Sequence, residues 1–511
     1  MAAGPYSLLL NARVSTGDPA SPFAAAVLVS GDRIVAVGGA ADLRELSGPG
    51  ATVIDCQGGA LLPGLHDAHI HLLATASRLS AVDCAASRSL ADIQEVLRGR
   101  ARQLPARAWV RAVGYDETAL VERRHPTRWD LDAAVPHRPV RLQHRSYHAC
   151  VLNSAALQIA GIGPEMEEPA GGVIERDLES GEPTGLLYET AQDLVRRVMP
   201  PLSQAEVEDG VMSVSRELLS WGVTALQDAT ESNVVADVHL FSGLQEKGLL
   251  RQRAVVMGRF DLAGQPGDGP RAARLHLGAV KIVLDESTGR LYPDPDDVRE
   301  RVVRAHRAGL QVAIHAVTRE AVDAGLNAIE HAQGLHPRAG LRHRIEHCSV
   351  CTPEAARRIA SLGVLVCTQP GFVHESGDRY LSEVAPDQIP CLYPLRSLLD
   401  AGVTLAGGSD SPIAVLNPLV AIHGAVTRRS RSGHRVGSEQ AIPLRSAVAM
   451  YTEGAAAACL QEQHLGRIAP GYLADLVLFA QDPFALPPDA LLEVRASLTL
   501  VGGEIVWDGR R

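Results

Sequence analysis

Short apolar runs alternate with stretches of helical periodicity through the middle of the chain. A short apolar run between turn residues is typical of a buried strand. Eight strands are predicted, at Leu61–His71, Gly222–Gln227, Gln252–Gly258, Ala279–Leu284, Gln311–His315, Arg342–His347, Val364–Thr368 and Val403–Gly407. Helices are predicted at Pro293–Ala308, Thr318–His331, Thr352–Ser361 and Leu392–Ala401. The alternation predicts an α/β fold, a (β/α)8 barrel of the TIM type, with functional side chains at the carboxyl ends of its strands.

Both ends of the chain predict short strands separated by turn residues. These strands are Ser7–Val14, Ala25–Ser30, Arg33–Val37, Thr52–Asp55, Leu473–Phe479 and Ala496–Val506, the last with a turn at Gly502-Gly503. We therefore predict one small β-sandwich domain from residues 1–60 and 465–511, and the barrel from residues 61–464. The gap between the first two barrel strands is too long for one crossover. Residues from about 72 to 200 are therefore predicted to form an insertion that covers the mouth of the barrel.

Two histidines end the first predicted strand, in the sequence PGLHDAHIH at residues 63–71. Because alternate residues of a strand share a face, His69 and His71 point the same way. Two imidazoles so placed can hold one divalent ion. His66 is out of phase with this pair and is not expected to be a ligand.

Lys281 lies inside the fourth predicted strand, and it is one of only two lysines in an arginine-rich chain. Burial disfavours a charged ammonium, and a neutral amine can react with carbon dioxide to form a carbamate. The carbamate has two oxygens that can bridge two metal ions, which arginine cannot supply. Two alternatives stay open: a direct role of Lys281 as an amine or cation, and a pairing with a buried carboxylate such as Asp285.

Single polar residues end three further strands. His315 ends the fifth and His347 ends the sixth, and both are candidate metal ligands; His343 has the same strand parity as His347 and is the alternative to it. Asp410 follows the eighth strand in GGSDSP. Its carboxylate can bind a metal with one oxygen and take a proton from a bound water with the other. The alternative for Asp410 is a turn or helix cap.

Composition and charge exclude several other classes. The 511 residues are 46% hydrophobic and 21% charged, which is ordinary for a globular protein. The net charge of -10 and the lack of a basic run argue against nucleic acid as a partner. No signal peptide and no membrane-spanning run are predicted, so a cytoplasmic location without membrane contact is expected. The eight cysteines include one C-x-x-C pair, Cys348 and Cys351, and are expected to be reduced, packed thiols.

The motifs PGLHDAHIH, VKIVLD, AIHA, RIEH and GGSDSP, in that order, resemble the amidohydrolase superfamily of metal-dependent barrel hydrolases. HACVLNSAAL at residues 148–157 and GEPTGLLYE at residues 181–189 resemble the amidohydrolase family 3 branch, which includes N-substituted formamide deformylases and YtcJ-like proteins. LGRIAPGYLADLV at residues 465–477 and VGGEIV at residues 501–506 are similar to the family's carboxyl-terminal strands. The resemblance covers essentially the whole chain.

This resemblance implies one or two divalent ions, most often zinc, and a binuclear centre. His69 and His71 would hold the first ion, and His315 and His347 would hold the second. Lys281 as a carbamate would bridge the two. Asp410 would be both ligand and proton acceptor for a metal-activated hydroxide that attacks an amide-type bond of a small-molecule substrate.

The proposed reaction also needs residues that meet the substrate. His148, on the insertion, would stabilise the oxyanion or orient the substrate. Tyr115 and Gln369 are weaker candidates for substrate contact, and ordinary loop packing is the alternative for both. A homodimer is a family expectation.

Two departures from the family pattern lie near the expected mouth of the barrel. Thr318-Arg319 follow the fifth strand, where the family often has Gly-Asp, and Asp285-Glu286-Ser287 follow Lys281, where the branch often has Asp-Gly-Ser. These departures leave the substrate open among amides, formamides, cyclic amides, carbamates and esters. The alternatives are a mononuclear deaminase or an ester or carbamate hydrolase on the same barrel, and a metal-binding barrel without catalysis.

Overall fold

The computed structural model describes residues 6–105, 107–263, 274–286 and 289–510. Eight parallel strands follow one another around a barrel in chain order. The first to the eighth are Leu65–Ile70, Val223–Asp228, Arg253–Gly258, Leu275–Val283, Val312–Ala316, Arg344–His347, Leu365–Thr368 and Leu405–Gly407. The eighth strand returns to the first, where the backbone N–H of Asp410 donates to the carbonyl of His69 at 2.7 Å. The predicted (β/α)8 barrel is thereby confirmed.

Most of the barrel strands are buried along their whole length. Every residue of the first, second, third and sixth strands is buried, as expected of parallel strands covered on both faces. This explains why the third, seventh and eighth strands stand in the sequence as mostly apolar runs rather than as alternating patterns.

The first predicted strand, Leu61–His71, is two strands in the structure. Ala60–Pro63 pairs with strands from the two ends of the chain, whereas Leu65–Ile70 pairs with the second barrel strand. The break falls at Gly64, where a Cβ atom would lie 2.3 Å from Oγ1 of Thr224. Only glycine permits this close approach of the two backbones.

Helices cover the outside of the barrel. Two of them begin at threonine caps: the side chain of Thr318 accepts from the N–H of Ala321, and that of Thr352 accepts from the N–H of Ala355. The α-helices that follow the second strand are Val235–Glu246, Phe260–Ala263, Pro295–Arg307, Arg319–Leu335, Pro353–Ser361, Gly371–Glu383, Leu395–Asp400, Pro418–Thr427, Leu444–Met450 and Glu453–Ala458. Short 3-10 helices lie at Ile389–Cys391, Ser438–Gln440, Pro483–Ala485 and Pro488–Glu493.

Two further sheets are built from the ends of the chain. A four-stranded sheet contains Tyr6–Leu10, Ala26–Ser30, Arg33–Gly38 and Thr52–Asp55, and the helix Ala40–Ser47 packs near it. A six-stranded sheet joins Arg13–Ser15, Phe23–Ala24 and Ala60–Pro63 to Leu476–Phe479, Ala496–Val501 and Glu504–Asp508. Leu9 and Val27 share one apolar core with Leu476 and Leu498, so the two ends fold together. The domain limits given above remain predictions.

Contacts divide the chain into two compact units. The barrel unit contains the barrel and both terminal sheets, and the second unit contains Leu73–Gly210 and Glu286–Tyr292. The second unit has a six-stranded sheet of Val82–Asp83, Val110–Tyr115, Val140–His144, Ala149–Leu152, Gly172–Arg176 and Pro183–Glu189. Its α-helices are Leu90–Gln103, Arg128–Asp132, Ser154–Ala160 and Gln192–Arg196, while Leu72–Ser80 and Gln204–Ser220 carry the chain between the units. Coverage of the barrel mouth by this insertion remains a prediction.

Three further observations bear on the sequence expectations. All eight cysteines are free thiols, and six of them are buried. Across the described part of the chain, no helix is both long enough and apolar enough to cross a bilayer. Ser287, the last residue of the second departure from the family pattern, lies outside the described residues.

Candidate metal centre

Four imidazoles lie together at the carboxyl ends of the barrel strands. The ring centroids of His69 and His71, at the end of the first strand, are 5.4 Å apart. The ring of His347, at the end of the sixth strand, lies 4.8 Å from that of His69 and 4.4 Å from that of His315 on the fifth. Residues that are far apart in sequence thus meet, because the ends of parallel strands share one edge of a barrel.

Asp410 lies among these imidazoles. Its Oδ1 is 3.3 Å from Nε2 of His71 and 3.5 Å from Nε2 of His69, and its Oδ2 is 3.9 Å from Nδ1 of His347. Burial raises the pKa of Asp410, but the contact with His71 and the nearby imidazoles of His347 and His69 outweigh it and hold the pKa below its ordinary value. Asp410 is therefore a carboxylate with both oxygens turned towards histidines.

Lys281 extends from the fourth strand and is only 3% exposed. Its Nζ forms no hydrogen bond with any described residue, so it makes none to Asp285. Burial lowers the pKa of Lys281, against the opposing effects of the Glu346 and Asp410 carboxylates. A buried amine without a hydrogen-bond partner is costly in an apo protein and favours a further partner for it.

Each of three histidines has its Nδ1 held by a side chain from another strand or loop. Nδ1 of His69 lies 2.5 Å from Oε2 of Glu346, and Nδ1 of His71 lies 2.9 Å from Oγ1 of Thr230. Nδ1 of His347 lies 2.8 Å from Oε1 of Gln369. When Nδ1 has the proton, the lone pair is on Nε2. In this tautomer Nε2 is the nitrogen that can bind a metal. These partners therefore orient the rings.

Glu346, Arg344 and Thr230 were not among the residues predicted from sequence. The signal for the first two was present in RIEH, because residues two apart on a strand point to the same side, and charges inside a barrel need a partner. Gln369 was predicted as a substrate contact. The structure places its Oε1 against His347 and leaves its buried Nε2 without a partner among the described residues.

Two other barrel histidines are core residues. Nε2 of His66 lies 3.1 Å from Nε2 of Gln227, and burial lowers the pKa of His66 to about 3. His343 contacts His306 at 2.8 Å, and burial lowers the pKa of His343 to about 4. Both rings are neutral at physiological pH and are held by the fold, so His347 rather than His343 joins the cluster.

The remaining predicted residues, His148 and Tyr115, lie in the second unit. The side chain of His148 is 45% exposed, and its Nδ1 lies 2.8 Å from Oε1 of Glu189. Tyr115 is fully buried, its hydroxyl lies 2.9 Å from Nδ1 of His125, and burial raises the pKa of Tyr115 well above its ordinary value. The environment of Tyr115 is that of a core residue of this unit. The roles of both towards a substrate remain predictions.

The second unit also contains a cluster of carboxylates and imidazoles that the sequence analysis did not identify. We call Asp116, Glu117, His125 and His144 the second-unit cluster. Nε2 of His144 lies 2.8 Å from Oε2 of Glu117, and Nε2 of His125 lies 3.9 Å from its Oε1. The hydrogen bond from His144 lowers the pKa of Glu117 to about 2, against the effect of partial burial. The cluster is thus organised around an ionised Glu117.

The donors at the barrel ends fit a divalent ion. One nitrogen each of His69 and His71 and one oxygen of Asp410 lie within 4.8 Å of one another, and nitrogen and carboxylate donors suit zinc and similar ions. Lys281 adds an amine without a hydrogen-bond partner beside them. The fold and this donor set together define a TIM-type barrel with a candidate centre for a divalent cation.

Comparison with known proteins leads to the same class. The amidohydrolase family model matches residues 52–507, and this chain belongs to that family. YtcJ of Bacillus subtilis strain 168, which is named as an amidohydrolase, is 31% identical over 94% of this chain and 96% of its own length. The N-substituted formamide deformylase of Arthrobacter pascens is 31% identical over 98% of each chain. The protein is therefore a hydrolytic enzyme of the group that acts on carbon–nitrogen bonds.

Solved structures support the fold. An uncharacterised metal-dependent hydrolase from Pyrococcus furiosus superimposes with a TM-score of 0.72 over 94% of this chain and all of its own, at 24% identity. Another from Pyrococcus horikoshii gives a TM-score of 0.76 over 95% of this chain and 99% of its own, at 21% identity. At these identities the likeness concerns the architecture.

Proposed function

We propose that this enzyme hydrolyses an amide-type carbon–nitrogen bond in a small molecule, such as an N-formyl amine, another N-acyl amine or a cyclic amide. The observation that carries the proposal is the convergence of His69, His71 and His347 on the two oxygens of Asp410. The proposed ligands of one or two divalent ions, most simply zinc, are His69, His71, Lys281, His315, His347 and Asp410.

The protonation states of these groups support metal binding. Burial lowers the pKa of His69 to about 3, so the ring is neutral at physiological pH, as a metal ligand must be. Burial also lowers the pKa of Lys281, which increases the share of the neutral amine. The neutral amine adds to carbon dioxide and loses a proton, giving the carbamate anion that we propose as the bridge between two ions.

A bound divalent ion would supply a lowered pKa for an attacking water and polarisation of the substrate carbonyl. Residues of the chain would transfer the proton and bind the substrate. Asp410 accepts the proton of the attacking water on one carboxylate oxygen and passes it to the leaving nitrogen. The unpartnered Nε2 of Gln369 can donate to a substrate oxygen while its Oε1 holds His347. His148 is proposed to stabilise the oxyanion or orient the substrate, and Tyr115 to contribute a weaker contact.

The formamide deformylase relative makes N-formyl amines the first substrates to try. A formyl group is small, and its carbonyl carbon is open to attack, so a deformylase needs most of its specificity on the amine side. Thr318-Arg319 and Glu286 differ from the family pattern beside the fifth and fourth strands. We propose that the amine recognised here differs for that reason from the one used by the Arthrobacter enzyme.

The test uses full-length protein with elemental analysis, intact-mass measurement and a substrate panel. We expect one or two zinc-like ions per chain, a carbon dioxide adduct on Lys281, and hydrolysis of N-formyl or N-acyl amines that chelation abolishes and metal restores. One ion, no adduct and deamination would indicate the mononuclear alternative instead. Turnover that is undiminished after complete removal of metal would contradict the proposal.

A further inference from the structure

We propose that Glu346 is a positioning residue for His69, fixing which nitrogen of that imidazole faces the metal site. The inference rests on the proposed function, because it assumes that the barrel centre binds a divalent ion. Glu346 contacts His69 on the side away from Asp410. In this proposal it touches neither substrate nor the reacting atoms.

The contact between Glu346 and His69 is short and buried from solvent. Nδ1 of His69 lies 2.5 Å from Oε2 of Glu346, and the two side chains are 1% and 0% exposed. An ionised carboxylate can only accept a hydrogen bond, so the proton of the contact belongs to Nδ1 of the ring. The lone pair is then on Nε2, which lies on the side of Asp410, 3.5 Å from Oδ1.

Glu346 is itself held in place by a second charged residue. Nε and Nη2 of Arg344 donate to its two carboxylate oxygens at 2.7 and 2.9 Å. Nη2 also donates to the carbonyl of Ala68 at 3.0 Å, the residue before His69. The guanidinium therefore ties the sixth strand to the first beside the ligand, and a bidentate pair of this kind leaves the carboxylate little freedom to rotate.

The charge on Glu346 needs an explanation beyond stability. A buried ion pair usually gains little over apolar side chains of similar volume, because both charges lose their hydration. Here the carboxylate has a partner besides Arg344, and that partner is a proposed metal ligand. Carboxylates that accept from a ligating histidine fix its tautomer and make its other nitrogen a better donor.

We expect this effect to be larger at His69 than at His71 or His347. Nδ1 of His71 meets the hydroxyl of Thr230, and Nδ1 of His347 meets the amide oxygen of Gln369. Both of these acceptors are neutral, whereas Glu346 is charged. Loss of the carboxylate should therefore weaken metal binding more than loss of either neutral acceptor.

The experiment measures zinc affinity of full-length apo protein by competition with a chromophoric chelator. Glu346→Gln keeps the shape of the side chain and removes its charge, and Glu346→Asp keeps the charge and withdraws it from Nδ1. We expect both to weaken zinc binding by roughly 10- to 100-fold. The Co²⁺ absorption spectrum should change as well, because the donor strength of His69 is altered.

Asp475→Asn is the matched control. Asp475 forms a buried bidentate pair with Arg253, at 2.7 and 3.1 Å, in the same unit. Its loss disturbs a buried guanidinium as Glu346→Gln does, and it should leave zinc affinity and the Co²⁺ spectrum unchanged. Equal zinc affinities in wild type, Glu346→Gln and Glu346→Asp would overturn the inference, as would an equal loss in Asp475→Asn.

A measurement on the wild-type chain does not depend on any variant folding. Nitrogen-15 spectra of the apo protein distinguish the two neutral tautomers of an imidazole, and His69→Gln identifies the signal that belongs to His69. We expect the tautomer protonated at Nδ1, and the tautomer protonated at Nε2 would refute the inference. If wild-type protein binds no metal, the proposed function fails first, and the competition assay reveals this separately.

Discussion

The barrel centre and the second-unit cluster contain the same kinds of side chain in different arrangements. At the barrel ends, Nδ1 of His69 contacts Glu346 and Nδ1 of His71 contacts Thr230. The Nε2 atoms of both rings face Asp410. In the second unit, Nδ1 of His144 accepts from the N–H of Ser146, so its Nε2 has the proton and faces Glu117. The first arrangement presents lone pairs, whereas in the second a ring N–H donates to a carboxylate.

This difference shows that the types of donor do not define a metal site. An imidazole beside a carboxylate can be part of a metal site or can simply donate a hydrogen bond to that carboxylate. The partner of the other ring nitrogen decides between the two. We therefore expect the barrel centre to bind metal and the second-unit cluster to contribute to stability.

The largest difference between the two regions should appear in turnover. Asp410→Asn removes the proton acceptor, so we expect kcat to fall by about 10²- to 10⁴-fold on whichever panel substrate is hydrolysed. Glu117→Gln removes the carboxylate from a structural contact with His144 and should affect kcat much less. The measurement is steady-state kinetics at saturating zinc, with metal content determined for each variant.

Equal losses in the two variants would contradict the comparison, because they would give the second-unit carboxylate a part in the reaction. A loss confined to KM in Glu117→Gln would instead point to substrate binding by the second unit.

The second-largest difference between the two regions should appear in the metal content of variants. His71→Gln removes a proposed ligand and should lower zinc affinity by more than the roughly 10- to 100-fold expected of an orienting partner. His144→Gln is the matched change in the second unit and should leave the metal content as in the wild type. Elemental analysis after dialysis against a weak chelator provides the measurement. Loss of an ion in His144→Gln would show that the second-unit cluster is a metal site.

The sequence predicted the barrel and its strand ends well, for a physical reason. Buried parallel strands are continuous apolar runs, and a polar residue at the end of such a run stands out. His69 and Asp410 were found in this way, and Lys281 was found as a lysine inside such a run. The break of the first strand at Gly64 was missed, because it follows from the approach of Thr224, a residue far away in the sequence.

The orienting partners could not be predicted for a similar reason. Thr230 meets His71 and Gln369 meets His347 only when neighbouring strands are in register, and sequence spacing does not give that register. Glu346 was within reach of sequence reasoning, since it stands in RIEH, but its contact with His69 joins residues 277 positions apart. Side-chain partners across a barrel depend on closure of the whole sheet.

The smallest predicted difference concerns the pH dependence of stability. The pKa of Glu117 is lowered from 4.5 to about 2 by the hydrogen bond from His144. A carboxyl whose pKa is lower in the folded state stabilises the fold above the pKa of the unfolded chain, and this contribution decreases as pH falls towards the folded value. Wild type should therefore exceed Glu117→Gln in free energy of unfolding by on the order of 1 kcal/mol near neutral pH.

Urea unfolding at a series of pH values should show this excess constant above about pH 5 and shrinking from pH 4.5 towards 2. An excess that is independent of pH across this window would mean that Glu117 acts through packing, and the contrast with the barrel centre would then lose its electrostatic basis.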